Sequence, residues 1–234
     1  IMTQILTVLE LFKAGAHLGH RVSKRHPKMQ PFIHSAKNTI NIINLEKTVE
    51  QLEVAANFLS DVVSKGGKVL FVGTKPTARE AIKKLAVATD MPFVIERWLG
   101  GTLTNFSAIS NTINKMKKLE REKESGEWDA KYTKKERLLK EKLLQKLQKT
   151  VGGLRNLERL PQVIFIIDIK KESTTIKEAK CAKVSMVGVV DTNANPDFVD
   201  YPIAANDDSI KTIELITNYL SGIIQDALKK RTKV

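Results

Sequence analysis

The sequence predicts an α/β fold: a Rossmann-like, doubly wound parallel sheet with an antiparallel coiled-coil helical hairpin inserted into it. Three observations predict it. Apolar runs of strand length, KVLFVGT at 68–74 and VIFII at 163–167, read as strands buried on both faces. Apolar residues at helical spacing follow such runs, the alternation that builds a parallel sheet. Past residue 105 the alternation stops, and a Lys- and Glu-rich stretch with a narrow apolar seam begins. The expected body is therefore residues 1–104 with 152–234, and the hairpin occupies 105–151. At 234 residues the chain is long enough for one sizeable domain plus such an appendage.

Taken in order, Thr7 and Glu10 form a capping box, so a short helix spans about 7–14 and ends at Gly15. The segment GAHLGHRVSKRHPKMQPFIHSAKN follows, in which Pro27 and Pro31 discourage regular structure. TINIIN at 39–44 reads as a buried strand. Leu45, Val49, Leu52, Ala56, Leu59 and Val63 then recur at helical spacing up to Gly66, making a first strand and helix unit. KVLFVGT is the second strand, a helix with Pro76 in its first turn runs near 76–89, and MPFVIE is a short third strand. In the hairpin, Ile109, Ile113 and Met116 form one stripe and Leu144, Leu147, Val151 and Leu154 the other, with ESGEWDAKYT at 124–133 between them. After Pro161 come the strand VIFIID, a helix near 172–182, the strand SMVGVVD, the turn-rich TNANPD and the extended YPIAAN. A last helix follows Asp207 and Asp208, whose charge suits a helix N-terminus.

Charge is the most informative part of the composition. The chain carries 39 Lys and Arg against 26 Asp and Glu, a net charge of +13. The excess sits in two places. Residues 11–45 hold six basic and no acidic residues, and 113–150 hold thirteen basic and seven acidic, while the remainder is nearly neutral. Concentrated positive charge is what a polyanion-binding face requires, because each phosphate neutralised releases condensed counterions. Neither patch has the Trp, Phe and Leu face of a membrane-surface helix, and no apolar run approaches a bilayer span, so no membrane partner is expected. The chain shows no signal-peptide pattern, and its single Cys181 cannot form an internal disulfide, which suits a cytoplasmic compartment. On its helix, Cys181 reads as a small buried apolar residue.

An enzyme reading rests on the strand ends, where Gly73, Thr74, Lys75, Asp168, Asp191 and Asn193 gather. No P-loop and no Gly-x-Gly-x-x-Gly is present, and Asp or Asn after a strand commonly closes a turn or caps a helix. An RNA-associated nucleotide-binding or RNA-modifying enzyme using Asp168 and Asp191 is the alternative; no catalytic residue is assigned. All four histidines, His17, His20, His26 and His34, lie in the first basic segment. That segment offers no Cys, Asp or Glu to complete or orient a zinc site, so neither metal nor cofactor is expected. RNA is the favoured polyanion, since irregular basic segments and exposed aromatics suit structured RNA. In RWLGGTLTNF at 97–106, Arg97 and Trp98 fit that chemistry, unless Trp98 packs in the core and Gly100 and Gly101 merely reverse the chain.

AGAHLGH, HPKMQPFI, VLFVGTK, RWLGGTLTNF, LERLP, DTNANPD and AANDDSI occur here in an order and spacing that resembles the bacterial-type small-subunit (30S) ribosomal protein two family. The resemblance covers essentially the whole chain, and RWLGGTLTNF is its most specific part. It departs at Ala204 and Ile169, where Pro is usual. It implies a Rossmann-like body with an inserted coiled-coil hairpin, bound to small-subunit rRNA near the junction of head and body. Implied too are late assembly, neighbouring small-subunit ribosomal proteins as partners, and help in seating small-subunit protein one. No catalytic activity comes with the resemblance. Its matching positions are the stretch from His20 through Lys37, Lys75 with Arg79, the Arg97 and Trp98 turn, and the arm. The expected RNA contacts are therefore His20, Arg21, Lys24, Arg25, Lys28, Lys37, Lys75, Arg79, Arg97, Trp98, Lys115, Lys117, Lys118, Lys131, Lys134 and Lys135.

Overall fold

A computed structural model describes residues 6–231; the outermost parts of the expected body, 1–5 and 232–234, lie outside the described residues. The chain runs α1 (Val8–Ala14), β1 (Leu18–Arg21), β2 (Ile33–Lys37), β3 (Ile40–Ile43), α2 (Leu45–Ser64), β4 (Val69–Val72), α3 (Pro76–Thr89) and β5 (Phe93–Val94). It continues through α4 (Phe106–Glu124), α5 (Glu127–Lys131), α6 (Lys134–Val151), β6 (Val163–Ile167), α7 (Ser173–Cys181), β7 (Ser185–Val190), β8 (Tyr201–Ala204) and α8 (Ile210–Arg231).

Five strands form an all-parallel sheet in the order β5-β4-β6-β7-β8. Val69 lies opposite Val163, and Val163 opposite Ser185, so the apolar runs stack in register. Successive side chains of a strand point to opposite faces, and each face has its own core. Phe71, Phe165, Val187 and Ile203 pack under α1, α2, α3 and α8, while Leu70, Val72, Ile164, Ile166 and Met186 pack under α7 and the segment from Trp98 to Leu157. The sheet is thus covered on both sides, as near-continuous apolar strands demand. From β4 the chain winds one way to β5, and later enters β6 on the other side of β4. The carboxyl ends of β4 and β6 therefore flank the point where the winding reverses, the position where open α/β sheets present side chains to ligands.

Local signals set most boundaries. The Thr7 and Glu10 capping box opens α1, whose end at Gly15 adopts the left-handed conformation. Asn44 Oδ1 accepts from the backbone N–H groups of Glu46 and Lys47 and starts α2. Pro76 opens α3.

The N-terminal region differs from expectation. TINIIN is not a strand of the parallel sheet. Its core, β3, is the middle strand of a separate antiparallel sheet, ordered β1-β3-β2. The segment expected to be irregular supplies both outer strands, and Pro27 and Pro31 fall in the 3-10 turn Pro27–Phe32 between them. Asn38 and Thr39, with φ of 49° and 64°, make the two-residue reversal from β2 to β3. Such a hairpin turn needs positive φ at both positions, and Asn-Thr is a weaker signal for it than Asn-Gly. Cys181 is exposed at the end of α7, not buried as its helical position suggested.

Candidate nucleic-acid interface

The antiparallel sheet and its flanking turns carry the first group of cations. Arg21, Lys24, Arg25 and Lys37 are exposed, and among the described residues none has an acidic partner within ion-pair distance. Lys28 is exposed but bonded to Asp197. Two contacts hold this segment against the body: the His26 N–H donates to the Thr192 carbonyl at 2.8 Å, and the His20 N–H to Thr192 Oγ1 at 2.8 Å. Close approach at that point requires glycine, because a Cβ on Gly19 would lie 2.5 Å from Thr192 Cγ2.

The four histidines do not form one cluster. His17 stacks on Phe12 with ring centroids 4.3 Å apart, His26 Nδ1 accepts from the Lys28 N–H, and His34 meets Ser35. Among the described residues, His20 is the histidine that faces acids. Its Nδ1 lies 3.0 Å from Asp191 Oδ2 and its Nε2 3.6 Å from Asp208 Oδ2. The contact with Asp191 holds the imidazole above its usual pKa, against the effect of burial and with help from Asp207 and Asp208. One ligand atom from each of His20, Asp191 and Asp208 lies within 4.8 Å of the other two, a spacing at which three groups can share one cation. The acids that the basic segment lacks in sequence thus arrive from the end of β7 and the start of α8.

Those acids belong to a cluster along the carboxyl edge of the parallel sheet. Lys75, directly after β4, places Nζ 2.6 Å from Asp207 Oδ1, 2.5 Å from Asp208 Oδ1 and 3.7 Å from Asp168 Oδ2. Burial pulls the lysine pKa down, but the bonds to Asp207 and Asp208 more than offset it and hold the ammonium above its ordinary value. Asp207 is pushed up to about 7 by burial and by Asp191 and Asp168, with Lys75 pulling the other way. Several carboxylates share one ammonium, so Lys75 is held in its charged form while crowding by the other carboxylates makes Asp207 harder to ionise. This corrects two expectations. Lys75 is internally neutralised, so it is not a free contact for phosphate. Asp207 is buried and does not serve as open charge at the start of α8; there Ser209 Oγ accepts from the Thr212 N–H at 3.3 Å. Arg79 is half-buried, donating to the Thr74 carbonyl at 3.2 Å and pairing with Glu96 at 3.3 Å.

The turn at 97–103 is organised from beneath by Glu178 on α7. This buried carboxylate accepts from the Trp98 indole N–H at 3.0 Å, the Gly101 N–H at 2.8 Å and the Leu103 N–H at 3.0 Å. Gly101 meets it with φ of +88°, a conformation that glycine adopts without steric cost. Burial alone would raise the Glu178 pKa, but the donors from Leu103, Gly101, Trp98 and Thr104 lower it below the ordinary carboxylate value. Trp98 is 7% exposed and its indole N–H is turned inward, which favours the packing alternative over direct contact with RNA. Arg97 beside it is exposed, with no acidic partner among the described residues. Sequence reasoning missed Glu178, which sits seventy-five or more residues from its partners. Its only sequence signal is an acid on the apolar side of α7.

In the inserted segment α4 and α6 pack side by side and antiparallel, burying Ile109, Ile113, Met116, Leu119, Leu144 and Val151. Three acids of this segment are tied across the hairpin. Lys123 pairs with Glu141 at 2.7 Å, Lys140 with Glu122 at 3.0 Å, and Arg155 with Glu120. Lys140 also caps the Tyr132 ring, 3.6 Å from its centroid. Outward, Lys115, Lys134 and Lys135 are exposed and Lys117 half-exposed, all without an acidic partner among the described residues. Lys118 lies 3.9 Å from Glu122, and Lys131 is bonded to Glu127.

The structure therefore divides the expected contacts. Nine remain outward and, among the described residues, unpaired: Arg21, Lys24, Arg25, Lys37, Arg97, Lys115, Lys117, Lys134 and Lys135. His20 and Lys75 are drawn together onto the Asp208 carboxylate.

Comparison with known proteins adds an independent line. The family model described as ribosomal protein S2 matches residues 11–227. The chain is 44% identical over 231 residues to the small ribosomal subunit protein uS2 of Bifidobacterium longum (strain DJO10A), covering 99% of this chain and 82% of that protein. It is 44% identical over 222 residues to the protein of the same description from Tolumonas auensis, with 95% and 91% covered. The corresponding protein of Coprothermobacter proteolyticus is 42% identical over 228 residues, with 97% and 84% covered.

Proposed function

The chain belongs to the ribosomal protein S2 family, and from that premise we propose that it is a structural, non-enzymatic constituent of the small subunit of the cytoplasmic ribosome. It binds small-subunit rRNA through two basic surfaces. One lies on the α/β body, residues 1–104 and 152–234; the other lies on the arm, 105–151, which acts as a coiled-coil hairpin. By holding two RNA segments at once it supports subunit assembly and translation, alongside neighbouring ribosomal proteins and with small-subunit protein one among its partners.

The observation that carries this reading is the fate of the acids. The first basic segment has no acidic side chain, and five of the seven acids of the second are tied into intramolecular ion pairs, while nine of the expected cations stay outward and unpaired among the described residues. Phosphate neutralisation supplies the affinity, and the folded shape of the RNA supplies specificity. The alternative enzyme has less to work with. Asp168 is paired to Lys75, and Asp191 is buried against His20 and Thr192.

Replacing Arg21, Lys24 and Arg25 by Ala tests the body surface. The slope of log affinity for small-subunit rRNA against log salt is expected to flatten by about 0.7 to 0.9 for each phosphate that is no longer neutralised. An unchanged slope removes these residues from the interface. Co-sedimentation with small subunits, reversed by high salt, tests the reading as a whole.

A further inference from the structure

We propose that the turn at 97–105 is a seat for one RNA sugar-phosphate strand, in which Arg97 pairs with a phosphate, Gly100 lets the strand lie against the protein main chain, and Glu178 is the positioning residue that holds both in place. The inference rests on the RNA-binding reading and deepens it: it names a single site, the part of the RNA it takes, and a residue that acts without touching the RNA.

Gly100 supplies the first observation. The two adjacent glycines of the turn have different reasons to be glycine. Gly101 has φ of +88° and its N–H donates inward to Glu178, so the backbone itself demands it. Gly100 is exposed and is not among the positive-φ residues, and a Cβ built on it would meet nothing within 4 Å. Neither conformation nor packing within the described residues calls for the missing side chain. What the missing side chain leaves is an open stretch of main chain facing outward, where another backbone can approach closely.

Charge supplies the second. Glu96, the acid directly before Arg97, is answered by Arg79 at 3.3 Å and by Lys149 at 3.9 Å. Glu178 is buried, and its two oxygens are turned away from the surface onto three N–H donors. The acids nearest the turn are thus neutralised or hidden, while the Arg97 guanidinium stays outward and unpaired among the described residues. A planar guanidinium beside bare main chain suits a phosphate oxygen and its ribose; a base would need an aromatic face to stack on, and Trp98, buried beneath, offers none.

The third observation is the bracing. Glu178 reaches the turn at both ends, Trp98 and Gly101 through Oε1 and Leu103 through Oε2. Within the turn, the Leu99 carbonyl accepts from the Thr102 hydroxyl at 2.6 Å and from the Thr102 N–H at 3.1 Å, and the Gly101 carbonyl accepts from the Asn105 N–H at 2.9 Å. Arg97 and Gly100 sit on the outer side of this frame. A cation held in advance of binding forfeits less freedom when the phosphate arrives, so rigidity here is affinity.

The test uses the full chain and a small-subunit rRNA fragment that wild type binds in a salt-dependent manner. Arg97→Ala is expected to weaken binding about tenfold, as for one charge-assisted phosphate bond. Gly100→Val is expected to weaken it by a similar factor while leaving the urea midpoint where it was, because its added atoms project into open space. Glu178→Gln is expected to weaken binding too, and in that background the further effect of Arg97→Ala is expected to shrink to about twofold, since a displaced guanidinium has little left to forfeit. Wild-type affinity in Gly100→Val, or equal effects of Arg97→Ala in the two backgrounds, overturns the seat and the positioning role respectively. Either result leaves the wider RNA-binding reading standing; that reading fails separately, if wild type itself does not bind the fragment.

Discussion

A carboxylate with several donors aimed at it is stable only while ionised, and Glu178 is such a group under the turn at 97–103. Bonds to a charged acceptor are worth about 1.5–3 kcal/mol, and an unpaired buried donor costs a similar amount. Glu178→Gln keeps one acceptor oxygen but sets an amide N–H2 against the Leu103 N–H. It is expected to lower stability by about 2 kcal/mol in urea unfolding. The effect has a pH signature. The folded pKa lies below the unfolded 4.5, so the contribution is complete above that value and disappears as pH falls through the lowered folded value. Wild-type and variant unfolding midpoints are therefore expected to converge in acid and to stay apart at pH 7. Parallel curves over the whole range would show that ionisation of Glu178 does not matter.

Among the elements, the α4 and α6 pair illustrates stability drawn from a narrow seam. Both helices are rich in Lys and Glu outside, and the packing between them depends on few apolar side chains. Leu144 is 3% exposed, and Leu→Ala at such a site costs about 2–5 kcal/mol through forfeited transfer energy and the cavity left behind. We expect Leu144→Ala to raise amide exchange through residues 106–151 while leaving the β4, β6 and β7 amides protected. Equal loss of protection in the sheet would mean that arm and body unfold as one unit. Thr133 caps α6 in a box with Glu136, and Thr133→Ala is expected to cost about 1 kcal/mol, confined to the same helices. Where the two sheets meet, Gly19 sets the distance between β1 and the loop after β7. Gly19→Val would drive β1 away from the loop after β7.

For the whole molecule, the prediction concerns additivity. If the body and arm grip separate RNA segments, Lys134→Ala with Lys135→Ala lowers the salt slope independently of Arg21, Lys24 and Arg25, and the combined variant shows the sum of the two effects. A combined variant no weaker than either set alone would place both surfaces on one RNA segment.

Much of this architecture was legible in advance because it is written locally. Apolar runs mark β4, β6 and β7, helical spacing marks α2, α3 and α8, and a capping box marks the start of α1. The two basic stretches needed only counting. Polar pairing across the fold was not legible. His20 meets Thr192 at a separation of 172 residues, and Glu178 meets Trp98 at 80. Nor could periodicity tell that β3 leaves the parallel sheet, since TINIIN reads the same in either sheet and the pairing of β1 and β2 with it decides. Helices, caps and strands depend on steric and solvation effects within a few residues, which a sequence displays. Which distant donor reaches which buried carboxylate depends on chain closure and packing of the finished core, so Trp98, Lys75 and Asp191 acquired their roles only from the tertiary structure.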